Sequence, residues 1–183
     1  MTANSHRMSL ILGGARSGKS RYAEALVTAE PAPWIYIATA ETFDDEMTER
    51  IAEHQRRRGP GWTTIEAPRD LAATIGQNMA SGRSILVDCL TLWLSNVMLA
   101  ELPVESETDR LLAALEHAAG SRLVLVSNEV GLGIVPDNAL ARRFRDAQGR
   151  LNQRVAALSD HVVLMAAGLP MVLKSNASQR QRG

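Results

Sequence analysis

The 183-residue sequence contains a single cysteine, Cys89. One thiol excludes an internal disulfide framework and suits a reducing compartment. Aromatic residues are scarce, at 4% against 45% hydrophobic residues in all. The core is therefore expected to be aliphatic. Neither sign of charge is in excess, with 20 Lys and Arg against 20 Asp and Glu. Nucleic acids and anionic membranes both select for a basic surplus, so neither is expected as the main partner. Long apolar runs are lacking too. The greasiest, residues 85–100, holds Asp88, Ser95 and Asn96 and is too short to span a bilayer. Residues 1–8 are polar, and the apolar stretch at 10–12 is too short for an export signal. These absences predict a soluble, cytoplasmic protein with one domain over residues 1–183 and loose tails at 1–7 and 175–183.

Between the tails, short aliphatic runs alternate with helical periodicity. Strands are expected at 8–12, 34–38, 62–66, 84–87, 123–126, 161–165 and 171–174. Helices are expected at 19–30, 44–58, 69–80, 90–100, 105–119 and 138–158. Strands alternating with helices imply an α/β fold with a mainly parallel sheet. The runs are continuously apolar rather than alternating, as expected when helices cover both sheet faces.

The segment Gly13-Gly14-Ala15-Arg16-Ser17-Gly18-Lys19-Ser20 follows the first strand and opens the first helix. It matches G-x-x-x-x-G-K-[ST] in full, the pattern of a phosphate-binding P-loop. Glycines let the backbone curl so that N–H groups converge on phosphate oxygens. Lys19 brings positive charge to the β- and γ-phosphates, and Ser20 offers a hydroxyl to Mg²⁺. The helix N-terminus adds its dipole. The chain is thus expected to have a P-loop nucleoside-triphosphate-binding fold and to use a nucleotide such as GTP or ATP with Mg²⁺. Asp88 ends the strand 84–87 and has the layout of a Mg²⁺-supporting acid. Glu129, after the strand 123–126, competes for the same role, so the metal assignment is divided between Asp88 and Glu129.

The sequence has no N-K-x-D motif, which counts against a switch GTPase. A small-molecule kinase is the plain expectation for a P-loop chain of this length. In the helix expected at 44–58, Met47, Ile51 and His54 share one face, and Gln55, Arg56, Arg57 and Arg58 follow. A neutral imidazole there can attack phosphorus while the arginines hold phosphates. A histidine packed at the end of an apolar stripe, with a solvated basic helix end, explains the same spacing. His6 falls in the expected tail, and His117 and His161 read as structural. Arg143, Arg150 and Arg154 share a face of the 138–158 helix, suiting either phosphate contact or a solvated or inter-subunit surface.

Several segments together resemble the bifunctional cobinamide kinase and cobinamide-phosphate guanylyltransferase family of cobalamin synthesis. They are Leu12 to Arg21, Tyr36-Ile37-Ala38-Thr39-Ala40, Asp44 to Met47 with Arg50-Ile51 and His54, Asp88 to Thr91, Ser127 to Pro136, and Arg142 to Asp146 with Gly149 to Gln153. The resemblance covers residues 10–174. It implies two reactions: phosphorylation of adenosylcobinamide by a nucleoside triphosphate, then transfer of GMP from GTP to the product through a guanylylated His54. It also implies GTP contacts at the P-loop, at Ala38, Thr39 and Ala40, at Gln55 to Arg58, at Glu66 and at Asp88. It further implies a corrinoid substrate and a homotrimer. A plain kinase for another small alcohol, with His54 structural, and a GTP-binding regulatory protein are the alternatives.

Overall fold

The computed structural model describes residues 6–41, 59–79, 82–117 and 121–176. The expected helix at 44–58, with His54 and Gln55 to Arg58, lies outside the described residues. Strands β1 (Met8–Gly13), β2 (Trp34–Ala38), β3 (Trp62–Glu66), β4 (Ile85–Asp88), β5 (Leu123–Asn128), β6 (His161–Ala166) and β7 (Leu169–Ser175) alternate with helices. The helices are α1 (Lys19–Thr28), α2 (Leu71–Met79), α3 (Leu90–Leu99), α4 (Val104–Glu116) and α5 (Ala139–Leu158). The expected strands and helices among the described residues all form, with ends shifted by a few positions.

The strands make one seven-stranded sheet in the order β3-β2-β4-β5-β1-β6-β7. All neighbours are parallel except β6 and β7, which form an antiparallel hairpin. Successive strand residues point to opposite faces, and the sequence fills both with aliphatic side chains. Leu10, Leu12, Ile35, Ile37, Ile85, Val87, Leu123 and Leu125 meet α2 to α5 on one face. Ile11, Tyr36, Leu86, Val124, Val126 and Val163 meet Ala23 and Val27 of α1 on the other. The continuous apolar strands are thereby explained, since a strand sandwiched between helices has no solvated side.

β7 differs. It begins two residues earlier than the apolar pattern predicts and contains Pro170, tolerated because a strand at the sheet's edge can spare an N–H. Its Leu169, Met171, Val172 and Leu173 are each more than half exposed. At the other end of the chain, His6 and Arg7 are part of the packed structure. His6 is buried and stacks on His161, with ring centroids 4.4 Å apart. The backbone N–H groups of Arg7 and Met8 donate to Asp160 Oδ2, both at 3.2 Å. Two arginines of the α5 face, Arg150 and Arg154, meet acids of α4. Arg154 pairs with Asp109 at 2.6 Å and Arg150 with Glu105 at 3.6 Å, tying α5 to α4.

Candidate active site at the carboxyl ends of the strands

The P-loop leaves β1 at Gly13 and enters α1 at Lys19. Gly13 is the point of closest approach. A Cβ there would stand 2.8 Å from the Met165 carbonyl oxygen of β6, so only glycine fits. Gly18, the residue before α1, has φ 93°, a left-handed conformation natural to glycine. Arg16 also has positive φ, at 55°. The loop is pinned by Ser17 N donating to Gly14 O at 3.3 Å and by Gly168 N of the β6–β7 turn donating to Ser17 O at 3.1 Å.

Three features leave this loop open to an anion. First, α1 has no side-chain cap and no acid in its first turn, so among the described residues no side chain caps its N-terminal N–H groups. Second, Ser17 is buried and its Oγ has no hydrogen-bond partner among the described residues. Buried hydroxyls are nearly always satisfied, and a phosphate oxygen would complete this one. Third, Lys19 Nζ folds back over the loop and, among the described residues, donates only to a carbonyl, Gly14 O at 3.1 Å. Its charge is met there by a dipole and stays available to phosphate.

The other expected contact residues line the same edge. Ala38 ends β2 and is in register with Glu66 of β3 on one side and Asp88 of β4 on the other. The Ala38-Thr39-Ala40 segment is anchored through its middle residue. Thr39 Oγ1 donates to Cys89 O at 2.7 Å and accepts from Cys89 N at 2.8 Å, and Asn96 Nδ2 donates to Thr39 O at 2.8 Å. Tyr36 Oη donates to Asp88 Oδ2 at 3.3 Å, which orients that carboxylate.

The two competing acids occupy different places in the strand order. β5 lies between β1 and β4, so Asp88 stands across an intervening strand from the P-loop strand. Glu129 follows β5, whose last residue Asn128 is in register with Gly13, and Glu129 N donates to Gly13 O at 3.1 Å. The Glu129 carboxylate accepts from Gly131 N at 2.6 Å. Among the described residues, no group of three or more His, Cys, Asp or Glu side chains could enclose a metal ion. Ser20, Asp88 and Glu129 are hard oxygen donors, of the kind that hold Mg²⁺ together with nucleotide phosphates and water.

Cys89 follows Asp88 and is buried. Its thiol is pushed up to about 12, first by burial and then by the neighbouring Asp88 carboxylate, with Lys19 opposing. Both charges are therefore felt at this buried sulfur between β4 and α3.

Sequence reasoning missed what holds the end of β5. Ser127 Oγ donates to Asn152 Oδ1 at 2.7 Å, and Gln148 Nε2 donates to Ser127 Oγ and Asn152 Oδ1, both at 2.9 Å. Asn152 Nδ2 donates to Asn128 O at 3.1 Å, and Asn128 N donates to Thr91 Oγ1 at 2.7 Å. The signal was present as Gln148 and Asn152, two polar residues spaced i, i+4 on the otherwise apolar inner face of α5. A separate cavity of about 570 Å³, lined in part by His6, Arg7, Glu30, Arg83 and Arg122, opens at the amino ends of the strands and includes none of these residues.

Solved structures with the same fold include the RadB recombinase, at TM-score 0.52 and 15% identity over 86% of this chain and 73% of that one. The flagellar accessory protein FlaH from Methanocaldococcus jannaschii is similar at TM-score 0.52 and 13% identity, over 93% of this chain and 80% of that one. In sequence, the chain is 50% identical over 167 residues to the bifunctional adenosylcobalamin biosynthesis protein CobP of Pseudomonas aeruginosa, covering 90% of this chain and 96% of the relative. It is 42% identical over 182 residues to the bifunctional adenosylcobalamin biosynthesis protein CobU of Salmonella typhimurium, covering 91% and 99%. Residues 9–173 match the family described as CobU, cobinamide kinase / cobinamide phosphate guanyltransferase. With a P-loop at the carboxyl edge of a parallel sheet and this match over nearly all of its length, the chain belongs to the cobinamide kinase / cobinamide phosphate guanyltransferase family.

Proposed function

We propose that this protein phosphorylates adenosylcobinamide with ATP or GTP, then transfers GMP from GTP to adenosylcobinamide phosphate, releasing pyrophosphate and giving adenosylcobinamide-GDP. The observation that carries the reading is the open P-loop, with an uncapped α1 and an orphaned Ser17 hydroxyl, in a chain of this family.

In the kinase step, the substrate hydroxyl oxygen attacks the γ-phosphorus and its proton passes to water. The bond between that phosphorus and its β-bridging oxygen breaks, and the nucleoside diphosphate leaves. The backbone N–H groups of Gly13 to Ser20 and the Lys19 ammonium neutralise charge on the transferred group and leaving oxygen. Mg²⁺, when bound, supplies further positive charge at the phosphates, with Ser20, Asp88 and Glu129 as the oxygen donors of this edge. In the guanylyl step, an imidazole nitrogen of His54 attacks the α-phosphorus and pyrophosphate leaves. A phosphate oxygen of adenosylcobinamide phosphate then attacks the same phosphorus, and the histidine nitrogen is released. Gln55, Arg56, Arg57 and Arg58 hold the phosphates during this exchange. Ala38, Thr39, Ala40, Glu66 and Asp88 contact the nucleotide at the neighbouring strand ends.

The whole chain acts as one domain, in the cytoplasm and as a homotrimer. Among the described residues no helix is long and apolar enough to cross a membrane. The exposed apolar edge strand β7 supports assembly between copies.

The deciding experiment is incubation with α-labelled GTP and Mg²⁺, followed by denaturing electrophoresis and mass mapping. An acid-labile, alkali-stable GMP adduct on His54, absent from His54→Ala, is expected. A protein that binds GTP but forms no adduct overturns the histidine route and leaves a kinase alone.

A further inference from the structure

Residues 129–138 join β5 to α5, and this connection presents the two most exposed large aliphatic side chains among the described residues, Ile134 and Leu132. Ile134 is 97% exposed, Leu132 83% and Val135 60%, with Leu140 at the start of α5 54% exposed. Single apolar residues on a surface are ordinary, but three within four positions form a patch that calls for a partner. The loop is braced at both ends. The Glu129 carboxylate holds Gly131 N at 2.6 Å, and Arg142 Nη1 donates to Pro136 O at 2.8 Å and Asp137 O at 2.7 Å. These bonds hold the loop by its polar atoms and leave its aliphatic side chains to solvent.

The patch rises from the P-loop's own neighbour. Asn128 pairs in register with Gly13, and Glu129 N is bonded to Gly13 O. Adjacent strands lie about 4.8 Å apart, so the loop's root stands one strand from the phosphate cradle. A macrocyclic acceptor must place its hydroxyl at the γ-phosphate while its ring rests beside the cradle. A corrin ring is broad, with methyl groups that offer apolar contact and amide side chains around its rim. We infer that Leu132, Ile134 and Val135 form the seat against which one face of the corrin ring packs while its side-chain hydroxyl reaches the P-loop. This rests on the functional reading given above, which names the substrate but no surface for it. A second copy of the chain is the weaker occupant, because this loop offers no free strand edge. The other exposed apolar stretch, β7, does.

The test uses the full-length protein with a non-hydrolysable GTP analogue, titrated with adenosylcobinamide by intrinsic-fluorescence quenching. Sedimentation measures the assembly mass in parallel. Ile134→Asp combined with Leu132→Asp places carboxylates in the seat and is expected to raise the corrinoid Kd by at least about tenfold. GTP affinity and assembly mass should be unchanged, and Ile134→Leu should bind corrinoid as the parent does. Unchanged corrinoid affinity in the double variant overturns the inference. So does a change in assembly mass, which would make the loop a contact between copies. A parent protein that binds GTP but no corrinoid overturns the functional reading itself, and the seat with it.

Discussion

Gly13 lies so close to Ser17 that a Cβ on the glycine would stand 2.5 Å from the serine Oγ. The Met165 carbonyl closes the other side at 2.8 Å. Because that second neighbour is backbone, neither rotamer change nor a small shift relieves Gly13→Ala. The variant is expected to lose about 1–3 kcal/mol of stability through overpacking. It should also lose GTP affinity, since the loop must open to admit the methyl group. Urea unfolding and nucleotide titration check both, and parent-like GTP binding would contradict the close approach.

Lys19 contributes differently. Its only hydrogen bond among the described residues is the exposed one to Gly14 O. Lys19→Met should therefore unfold at nearly the parent temperature. Removing a charge aimed at the transferring phosphoryl group typically lowers kcat about 100-fold or more. A kinase assay beside a thermal melt separates the two effects, and a large stability loss with modest kinetic loss would assign Lys19 to the fold instead.

The network behind β5 yields a stability prediction with a catalytic readout. Asn152→Leu removes the acceptor for both Ser127 Oγ and Gln148 Nε2 and the donor to Asn128 O. Leaving buried polar groups unpaired costs about 1–3 kcal/mol each, so a loss of a few kcal/mol is expected in urea unfolding. Because Asn128 and Glu129 follow directly, kcat should fall with it. Asn152→Leu with unaltered stability would show that the network is not closed in solution.

What the sequence made legible was local. The P-loop is eight consecutive residues, and each buried strand is its own apolar run, so motif and element type could be read without knowing any neighbour. What joins distant segments could not be read this way. That β5 inserts between β1 and β4 is a property of sheet order, and it decides that Glu129, not Asp88, adjoins the P-loop strand. The Thr91–Ser127–Gln148–Asn152 network draws on two helices and a strand, and nothing local marks Ser127 as its hub. His6 looked like tail because its partner His161 is far along the chain. β7 starts before its apolar run because Pro170, which gives no N–H, is accommodated at the sheet's edge.

The His6–His161 stack carries a pH prediction. Both imidazoles sit below the ordinary 6.5, chiefly because burial disfavours their charged forms, with Arg122 also opposing protonation. Asp160 pulls His6 the other way, more weakly than burial does. The folded state therefore prefers both rings neutral. Above 6.5 the rings are neutral in folded and unfolded chains alike, and their packing contributes in full. As pH falls below 6.5 the unfolded chain takes up protons first, so stability declines until the folded values are passed. Melting temperature should fall between pH 7 and pH 5, and His161→Phe should flatten that slope. An unchanged slope in the variant would place the acid sensitivity elsewhere.

Cys89 supplies the last prediction. The thiolate, not the thiol, reacts with alkylating agents. Burial and the Asp88 carboxylate raise this thiol to about 12, so at pH 8 almost none is ionised, and little of the side chain is open to solvent. Iodoacetamide at pH 8 should leave the native protein unmodified by intact mass, yet add one carboxamidomethyl group once urea unfolds it. Because Cys89 N and O are both bonded to Thr39 Oγ1, alkylation of the native protein requires the Thr39 segment to open. Thr39→Val removes both bonds while keeping the side-chain shape, and should make Cys89 react measurably faster under native conditions. Rapid labelling of the parent protein would mean that this edge of the sheet opens readily. Slow labelling of both proteins would mean that packing alone, without the threonine, keeps Cys89 closed.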